Sequence, residues 1–596
     1  MSTPILSRLE ALRAQMISQN IHAFIIPGTD PHMSEYIAEH WKCRDWISNF
    51  NGSAGTVVVT RSQAGLWTDS RYFLQAEQQL QDTSISLYKE GLPETPTIEQ
   101  FLTSSLQKGE TIAVDGRLFP IASAQSMHQL FSSKALNFTT DFRPFESIWT
   151  DRPALPKAMA YVYPEHYAGE SLLSKRQRIL DKATLLGANA LLLTALDDIA
   201  WTLNLRGSDV ECNPVTICFH FVSEKENILF IDKDKVTDET SAYFQQNGIM
   251  LASYDKIEDF LAQLPADYKL LLDPAKVNET LRQAIAPDCQ QVIATAPVAL
   301  LKAVKNDTEI EGFRRAMIKD GVALTRFFRW MEQTLQTQTL SECSISDKLT
   351  GFREEQEHFV GESFGSIVGY NGHGAIVHYR PTPESDATVT NEGILLIDSG
   401  GQYFDGTTDI TRTVILGESA TEIQKKHFTL VLKGHINVAL CKFPQGTRGD
   451  QIDILARKAL WQEHLNYLHG TGHGVGHFLN VHEGPQNIRL NHNPTLLEPG
   501  MVTSNEPGLY ITDQYGIRLE TLILTRKEGT SEAFGDFYGF ETLTLFPFDR
   551  KGIEPALLSP EELMWLNNYH KTVYETLAPH LDAEEQAWLA DKTQAI

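Results

Sequence analysis

The run Leu395-Leu-Ile-Asp398-Ser-Gly-Gly, followed by Tyr403-Phe-Asp405-Gly406 and Thr408-Asp409-Ile-Thr411-Arg412-Thr-Val414, sets two acids eleven residues apart. The apolar run before Asp398 and the β-branched run around Asp409 read as two strands joined by an Asp-Gly turn. Such a hairpin brings both carboxylates to one side. There they repel unless a cation lies between them; solvated turn acids are the plainer alternative, and Asp405 itself belongs to the turn. Next comes His469-Gly-Thr-Gly-His473-Gly-Val-Gly-His477-Phe-Leu-Asn-Val-His482-Glu, four histidines within fourteen residues. Glycines let backbone and ligand approach closely, and neutral imidazole is a common metal ligand. The run has no H-E-x-x-H helix motif, and its glycine spacing fits neither a Rossmann turn nor a P-loop.

Two more acids stand in strand-like contexts, Glu506 in Asn505-Glu506-Pro507-Gly508 and Glu520 in Ile517-Arg518-Leu519-Glu520-Thr-Leu-Ile-Leu524. A charge in a central strand is costly unless paired or coordinated. Arg518, two residues away on the same face, offers Glu520 a simple salt bridge as the alternative. Taken together, Asp398, Asp409, His473, Glu506 and Glu520 supply four carboxylates and one imidazole, which two divalent cations would neutralise. Oxygen-rich ligation with one histidine favours manganese or cobalt over a closed zinc site. Such a pair, about 3.5–4 Å apart, acidifies a bridging water and clamps the developing oxyanion. Gly361-Glu-Ser363-Phe-Gly365 matches the serine-hydrolase pattern G-x-S-x-G, but no strand-elbow-helix context surrounds it.

The elements that position these residues begin with a repeat. Ala23-Phe-Ile-Ile-Pro27 and Ala190-Leu-Leu-Leu-Thr194 each follow an amphipathic helix, at an offset of 167 residues. Trp46-Ile-Ser-Asn49-Phe-Asn51-Gly52-Ser53 parallels Trp201-Thr-Leu-Asn204-Leu-Arg206-Gly207-Ser208 at an offset of 155. Short β-branched runs follow in both copies, which predicts two α/β domains of similar fold. Prolines 144, 153, 156 and 164 mark a linker near residues 150–168. Near Asn306 a second boundary is expected, with Thr308-x-x-Glu311 as a capping box ahead of Ile310, Phe313, Met317, Leu324 and Phe328 on one helical face. Long helices are predicted at about 308–335, 421–441 and 449–466, then glycine-punctuated strands.

Length and charge narrow the partners. A chain of 596 residues is too long for one core and suggests two to four domains. With 51 Lys+Arg against 76 Asp+Glu, the net charge of −25 repels phosphate backbones and anionic lipid, so neither nucleic acid nor membrane is an expected partner. Six scattered cysteines without a C-x-x-C pair make no disulfide framework and fit a reducing compartment. Residues 1–16 read as an amphipathic helix without an apolar h-region, and no run approaches the roughly 18 apolar residues of a membrane span. Sequons at Asn51, Asn137, Asn278 and Asn306 read as chance matches, and a soluble, cytoplasmic protein is expected.

The order Asp-(eleven)-Asp, H-G-x-G-H, N-E-P-G and R-L-E resembles the "pita-bread" metallopeptidases: methionine aminopeptidase, prolidase and aminopeptidase P. The tandem N-terminal repeats and the stretch 397–409 most resemble three-domain cytosolic aminopeptidase P, and the likeness spans the whole chain. It implies a multidomain α/β and α+β protein: creatinase-type α/β domains at 1–152 and 153–306, then a pita-bread catalytic domain at 307–596. The implied activity removes an N-terminal residue ahead of a penultimate proline, with a hydroxide bridging two cations as nucleophile. Manganese is the expected metal, with cobalt or zinc as alternatives.

By the same resemblance Asp398, Asp409, His473, Glu506 and Glu520 are the ligands, with Asp409 and Glu520 bridging and Glu506 also the general base. His378 and His482 would contact the peptide and stabilise the scissile carbonyl; His473 would also face substrate. His469 would bind substrate or relay protons, and Arg71, in Trp67-Thr-Asp-Ser-Arg71, matches a first-domain arginine that reaches the peptide. Arg518 would orient Asp398, while His477 matches no family function. A homodimer acting on X-Pro peptides is implied. The rivals are a prolidase restricted to dipeptides, whose usual form has a single N-terminal domain, and a non-catalytic binding protein on the same fold.

Overall fold

The computed structural model describes residues 4–418 and 420–596, which form two compact units: Met1–Glu165 with Glu170–Val298, and His166–Gly169 with Ala299–Ile596. Helix α1 (Pro4–Ser18) buries Ile5, Leu9, Leu12 and Met16, the amphipathic spacing expected; residues 1–3 of that prediction lie outside the described residues. Strands β1 (Ala23–Pro27), β2 (Thr56–Thr60), β3 (Ala64–Thr68), β4 (Ser86–Lys89), β5 (Thr111–Ala113) and β6 (Asn137–Thr139) form a mixed sheet in the order β4-β3-β2-β1-β5-β6. Its faces are both covered: Phe24 and Ile26 join one apolar cluster, Ala23 and Ile25 another. Period-two alternation onto two cores explains why the β1 run is continuously apolar.

The second half of this unit repeats the plan. Strands β7 (Ala190–Leu193), β8 (Cys218–Ser223), β9 (Asn227–Ile231), β10 (Met250–Ala252), β11 (Lys269–Leu272) and β12 (Gln290–Ile293) are ordered β10-β9-β8-β7-β11-β12. Every neighbour keeps the orientation of its counterpart in the first sheet. The repeated Trp-x-x-Asn motif has a local cause. Asn49 and Asn204 cap helices α2 (Cys43–Ser48) and α3 (Leu196–Leu203) in the left-handed conformation, with φ of 66° and 48°. Asparagine tolerates that region better than most residues. The proline-rich stretch near 150–168 is not bare linker, because Tyr161–Val162 pairs with Leu205–Arg206.

In the second unit helix α4 (Asp307–Leu335) buries Phe313, Met317, Leu324 and Phe328, while Ile310 is half-buried. Its capping box differs from the expected one: Asn306 is the N-cap and Glu309 reaches back to it, so Thr308 already lies inside the helix. Asparagine caps better than threonine, and the earlier start wins. Helix α5 (Glu342–Glu354) packs on α4. Helices α6 (Glu422–Ala439) and α7 (Gly449–Gln462) end two and four residues sooner than the sequence pattern suggests.

Besides a short pair, Leu340–Ser341 with Thr388–Val389, the strands of this unit are β13 (Phe359–Glu362), β14 (Ile367–Tyr370), β15 (Gly393–Ser399), β16 (Gly401–Tyr403), β17 (Gly406–Thr407) and β18 (Ile410–Leu416), then β19 (Phe443–Pro444), β20 (Gly472–Gly474), β21 (Glu483–Ile488), β22 (Val502–Asn505), β23 (Gly508–Ile511), β24 (Tyr515–Arg518), β25 (Thr521–Ser531) and β26 (Gly535–Thr542). They make three-stranded sheets β14-β15-β18 and β13-β16-β17, a six-stranded sheet β19-β26-β25-β22-β20-β21, and the hairpin β23-β24. Helix α8 (Pro560–Leu577) closes the core around Phe428, Phe548, Leu566 and Tyr569. Replacing Asn306 with Ala should cost about 1 kcal/mol through loss of the cap, measured by denaturant titration of the full chain.

Candidate metal centre

Strand pairing brings the acids together. In the β15–β18 ladder Asp398 faces Thr411, which puts Asp409 diagonally across on the same side. The turn lies at Phe404-Asp405, and Asp405 is a structural acid held by Arg315 at 2.7 Å and by Lys319. In the six-stranded sheet Asn505 pairs with Thr521, and the next residue on each strand is Glu506 or Glu520. His473 is the middle residue of β20. Its flanking glycines are required by packing: a Cβ on Gly472 would lie 1.9 Å from the Ser504 carbonyl oxygen, and one on Gly474 2.2 Å from that of Glu483. That crowding explains the G-H-G core of the histidine run.

One ligand atom each from Asp409, His473 and Glu520 lies within 4.8 Å of the others. His473 Nε2 is 3.5 Å from Asp409 Oδ2 and 3.4 Å from Glu506 Oε1. His473 Nδ1 is 2.9 Å from the Gly474 carbonyl, which can only accept, so the proton sits on Nδ1 and Nε2 presents its lone pair to the acids. Asp398 accepts from Arg518 through Oδ2 at 2.6 Å, while its buried Oδ1 has no hydrogen-bond partner among the described residues. Arg518 therefore pairs with Asp398 and not with its near neighbour Glu520.

Burial, then Glu520 and Asp398, holds the Asp409 carboxyl well above the usual carboxylate range; burial, Glu506 and Asp398 do the same to Glu520. Glu506 is pushed up to about 7, chiefly by burial. An orphaned buried carboxylate oxygen, three crowded acids whose proton affinity is raised by burial and by one another, and an imidazole with an inward lone pair fit a pair of divalent cations.

Several supporting residues carry no sequence signal of their own. Thr411 Oγ1 donates to Glu520 Oε2 at 2.8 Å, and Ser504 Oγ donates to Glu506 Oε1 at 3.1 Å while accepting the His473 amide at 2.9 Å. Tyr510 links His469 Nε2 at 2.8 Å to Arg518 Nη1 at 2.7 Å, so His469 joins the site through a hydrogen-bonded chain ending on Asp398. The His482 ring stands perpendicular to His473, centroids 4.5 Å apart. Glu483, beside it, is buried against Lys302 at 3.1 Å and against Lys305. His378 is half-buried in the turn after Asn371–Ala375. Buried Glu342 organises that loop, accepting from the Tyr370 amide, the Tyr379 hydroxyl and the Ala387 amide.

Two residues lie apart from this chemistry. His477 is buried edge-on against Phe313, and Ser363 is buried, its hydroxyl donating to the Thr408 carbonyl at 2.9 Å, which suits a structural serine rather than a nucleophile. In the first unit Arg71 forms a two-pronged ion pair with Asp69, at 2.9 and 2.7 Å.

Residues 311–527 match metallopeptidase family M24 and residues 536–596 match the C-terminal region of that family. Residues 8–145 and 151–309 each match the Creatinase/Prolidase N-terminal domain. A "Probable Xaa-Pro aminopeptidase P" of Laccaria bicolor is 41% identical over 98% of this chain and 92% of its own. The chain belongs to metallopeptidase family M24. "Aminopeptidase P2" of Arabidopsis thaliana is 39% identical over 97% of this chain and 86% of its own. The solved X-prolyl aminopeptidase of Caenorhabditis elegans, described as a cytosolic enzyme with a di-nuclear active site, matches over the full length of both chains with a TM-score of 0.95 at 34% identity. The fold of this family member is the expected one: creatinase-type N-terminal domains followed by a pita-bread domain.

In the cation-free protein the raised carboxyl groups stabilise the fold while protonated. That contribution is complete below their unfolded values near ~4; for Glu506 it is lost as pH rises through about 7, and for Asp409 and Glu520, whose carboxyls are held well above the usual range, the loss continues at higher pH. Thermal melts of chelated protein should therefore fall from pH 5.5 to 8 by more than those of the cation-loaded protein; parallel curves would refute the linkage. Separately, Lys305→Met breaks a buried pair and should destabilise the protein by about 3 kcal/mol, with part recovered in the Lys305→Met, Glu483→Gln double variant.

Proposed function

We propose that this chain is a two-cation aminopeptidase that hydrolyses the bond between an N-terminal residue and a penultimate proline. The observation that carries the reading is the convergence of Asp409, His473 and Glu520 within 4.8 Å, in a chain matched end to end by Xaa-Pro aminopeptidases. Asp398, Asp409, His473, Glu506 and Glu520 would hold the cations. When bound, these acidify the attacking water and polarise the scissile carbonyl.

The remaining work belongs to side chains. Glu506, whose Oε1 lies 3.4 Å from His473 Nε2, is the carboxylate assigned to accept the proton of the attacking water. An X-Pro bond is a tertiary amide without an N–H, so a site that relies on no hydrogen bond from that nitrogen accepts it readily. The proline nitrogen must gain a proton on leaving. His482, perpendicular to His473, and His378 are the imidazoles assigned to the carbonyl and that proton, with His469 relaying through Tyr510. The peptide contact of Arg71 is carried over from the family resemblance.

Finer assignments belong to the same proposal: Mn2+ as the metal, a homodimer, a cytoplasmic location and domain limits at 1–152, 153–306 and 307–596. Oxygen-rich ligation supports manganese. The free cysteines support a reducing compartment.

Chelated enzyme should lose cleavage of an X-Pro-X tripeptide and regain it with Mn2+; no recovery would refute the reading. Activity confined to X-Pro dipeptides would instead identify a prolidase. Asp409→Asn and Glu520→Gln should each lower kcat/KM by at least ~100-fold, the upper part of the range seen when metal-site groups are lost, measured with the same tripeptide under saturating Mn2+.

A further inference from the structure

One buried permanent charge takes no part in the chemistry above. The Arg412 guanidinium is 1% exposed, and its donors all meet neutral oxygens. Nη1 donates to the carbonyls of Thr411 at 3.0 Å and Glu520 at 2.6 Å, Nε to the Pro547 carbonyl at 3.0 Å, and Nη2 to the Phe546 carbonyl and, at 3.1 Å, the Tyr569 hydroxyl. The guanidinium also lies over the Phe548 ring, 4.2 Å from its centroid. Among the described residues no carboxylate forms an ion pair with it. A guanidinium buried without a carboxylate is costly, and its rigid fork is used where several acceptors must be fixed at once.

Those acceptors identify what is fixed. Glu520 is gripped at three points by Thr411 and Arg412. Its amide donates to the Thr411 carbonyl at 3.1 Å, its carbonyl accepts from Arg412, and its Oε2 accepts the Thr411 hydroxyl at 2.8 Å. The other arms of Arg412 end on Phe546, Pro547 and Tyr569, all within the stretch matched by the family's C-terminal region, residues 536–596. The Tyr569 hydroxyl in turn lies 2.9 and 3.0 Å from the carbonyls of Thr544 and Phe546, which share its one hydrogen as acceptors, so it sits in the same network.

We infer that Arg412 is a positioning residue that fastens Glu520 to the C-terminal region, so that this region sets the affinity of the metal centre. The inference rests on the reading of Glu520 as a ligand. The test is calorimetric titration of chelated full-length protein with Mn2+ alone, beside melting curves of the same cation-free samples. Arg412→Met should weaken Mn2+ binding by roughly 10–100-fold, as loss of a ligand's supporting partner does. Arg412→Lys should weaken it less, and Tyr569→Phe less again, with the cation-free melting curve of each variant showing a folded protein at the titration temperature. Arg412→Lys and Tyr569→Phe decide the matter even if Arg412→Met does not fold.

Wild-type Mn2+ affinity in both of those variants would overturn the inference while leaving the proposed activity standing. A wild-type chain that takes up no Mn2+ would overturn the ligand assignment and this inference together.

Discussion

Repulsion among acids in one buried place governs the catalytic unit. Asp398, Asp409 and Glu520 are almost wholly buried and Glu506 adjoins them; burial, and then the neighbouring charges, raise the proton affinity of Asp409, Glu506 and Glu520. In a low-dielectric interior such repulsion is far stronger than in water. A fold tolerates it only where other interactions hold the acids against separation and where cations relieve the charge. Paired strands provide the holding. Asp398 lies within β15, Asp409 just before β18, Glu506 just after β22 and Glu520 just before β25. Each acid is thus inside or adjacent to a hydrogen-bonded ladder, a rigid support for a site that needs sub-ångström placement.

The sheets are joined by polar side chains rather than by apolar packing alone. Thr411 and Thr413 of β18 reach across to Glu520 and to the Arg518 backbone, and Arg518 returns to Asp398.

Local signals in the sequence were informative where their cause is local. The glycines beside His473, the left-handed asparagines of the repeat and the α1 spacing all depend on near neighbours or close backbone approach, and each leaves a mark in residue type, whereas the turn expected at Asp405-Gly406 falls one residue earlier, at Phe404-Asp405, with Gly406 already paired to Tyr403. The capping box at α4 misled because two overlapping candidates lie two residues apart, and only the helix start separates them. The partner of Arg518 was likewise read in both ways, with a near neighbour competing against an acid 120 residues away. Thr411, Ser504, Tyr510, Arg412 and Glu483 were not legible as part of the site. Their types are ordinary, and what recruits them is register between distant strands, which no spacing along the chain records.

The outer partners also follow a rule that bears on the metal centre. Arg518 takes Oδ2 of Asp398, Ser504 takes Oε1 of Glu506 and Thr411 takes Oε2 of Glu520, one oxygen in each case. A carboxylate so held keeps its orientation while the second oxygen stays available for ligation. An arginine on both oxygens of a ligand would hold it more tightly but would compete with a cation for the same lone pairs. Arg412 avoids that conflict by gripping the backbone of Glu520 instead of its side chain. Two buried arginines beside one anionic site thus divide the labour: one offsets charge at a single oxygen, and the other fixes position without touching a ligand atom.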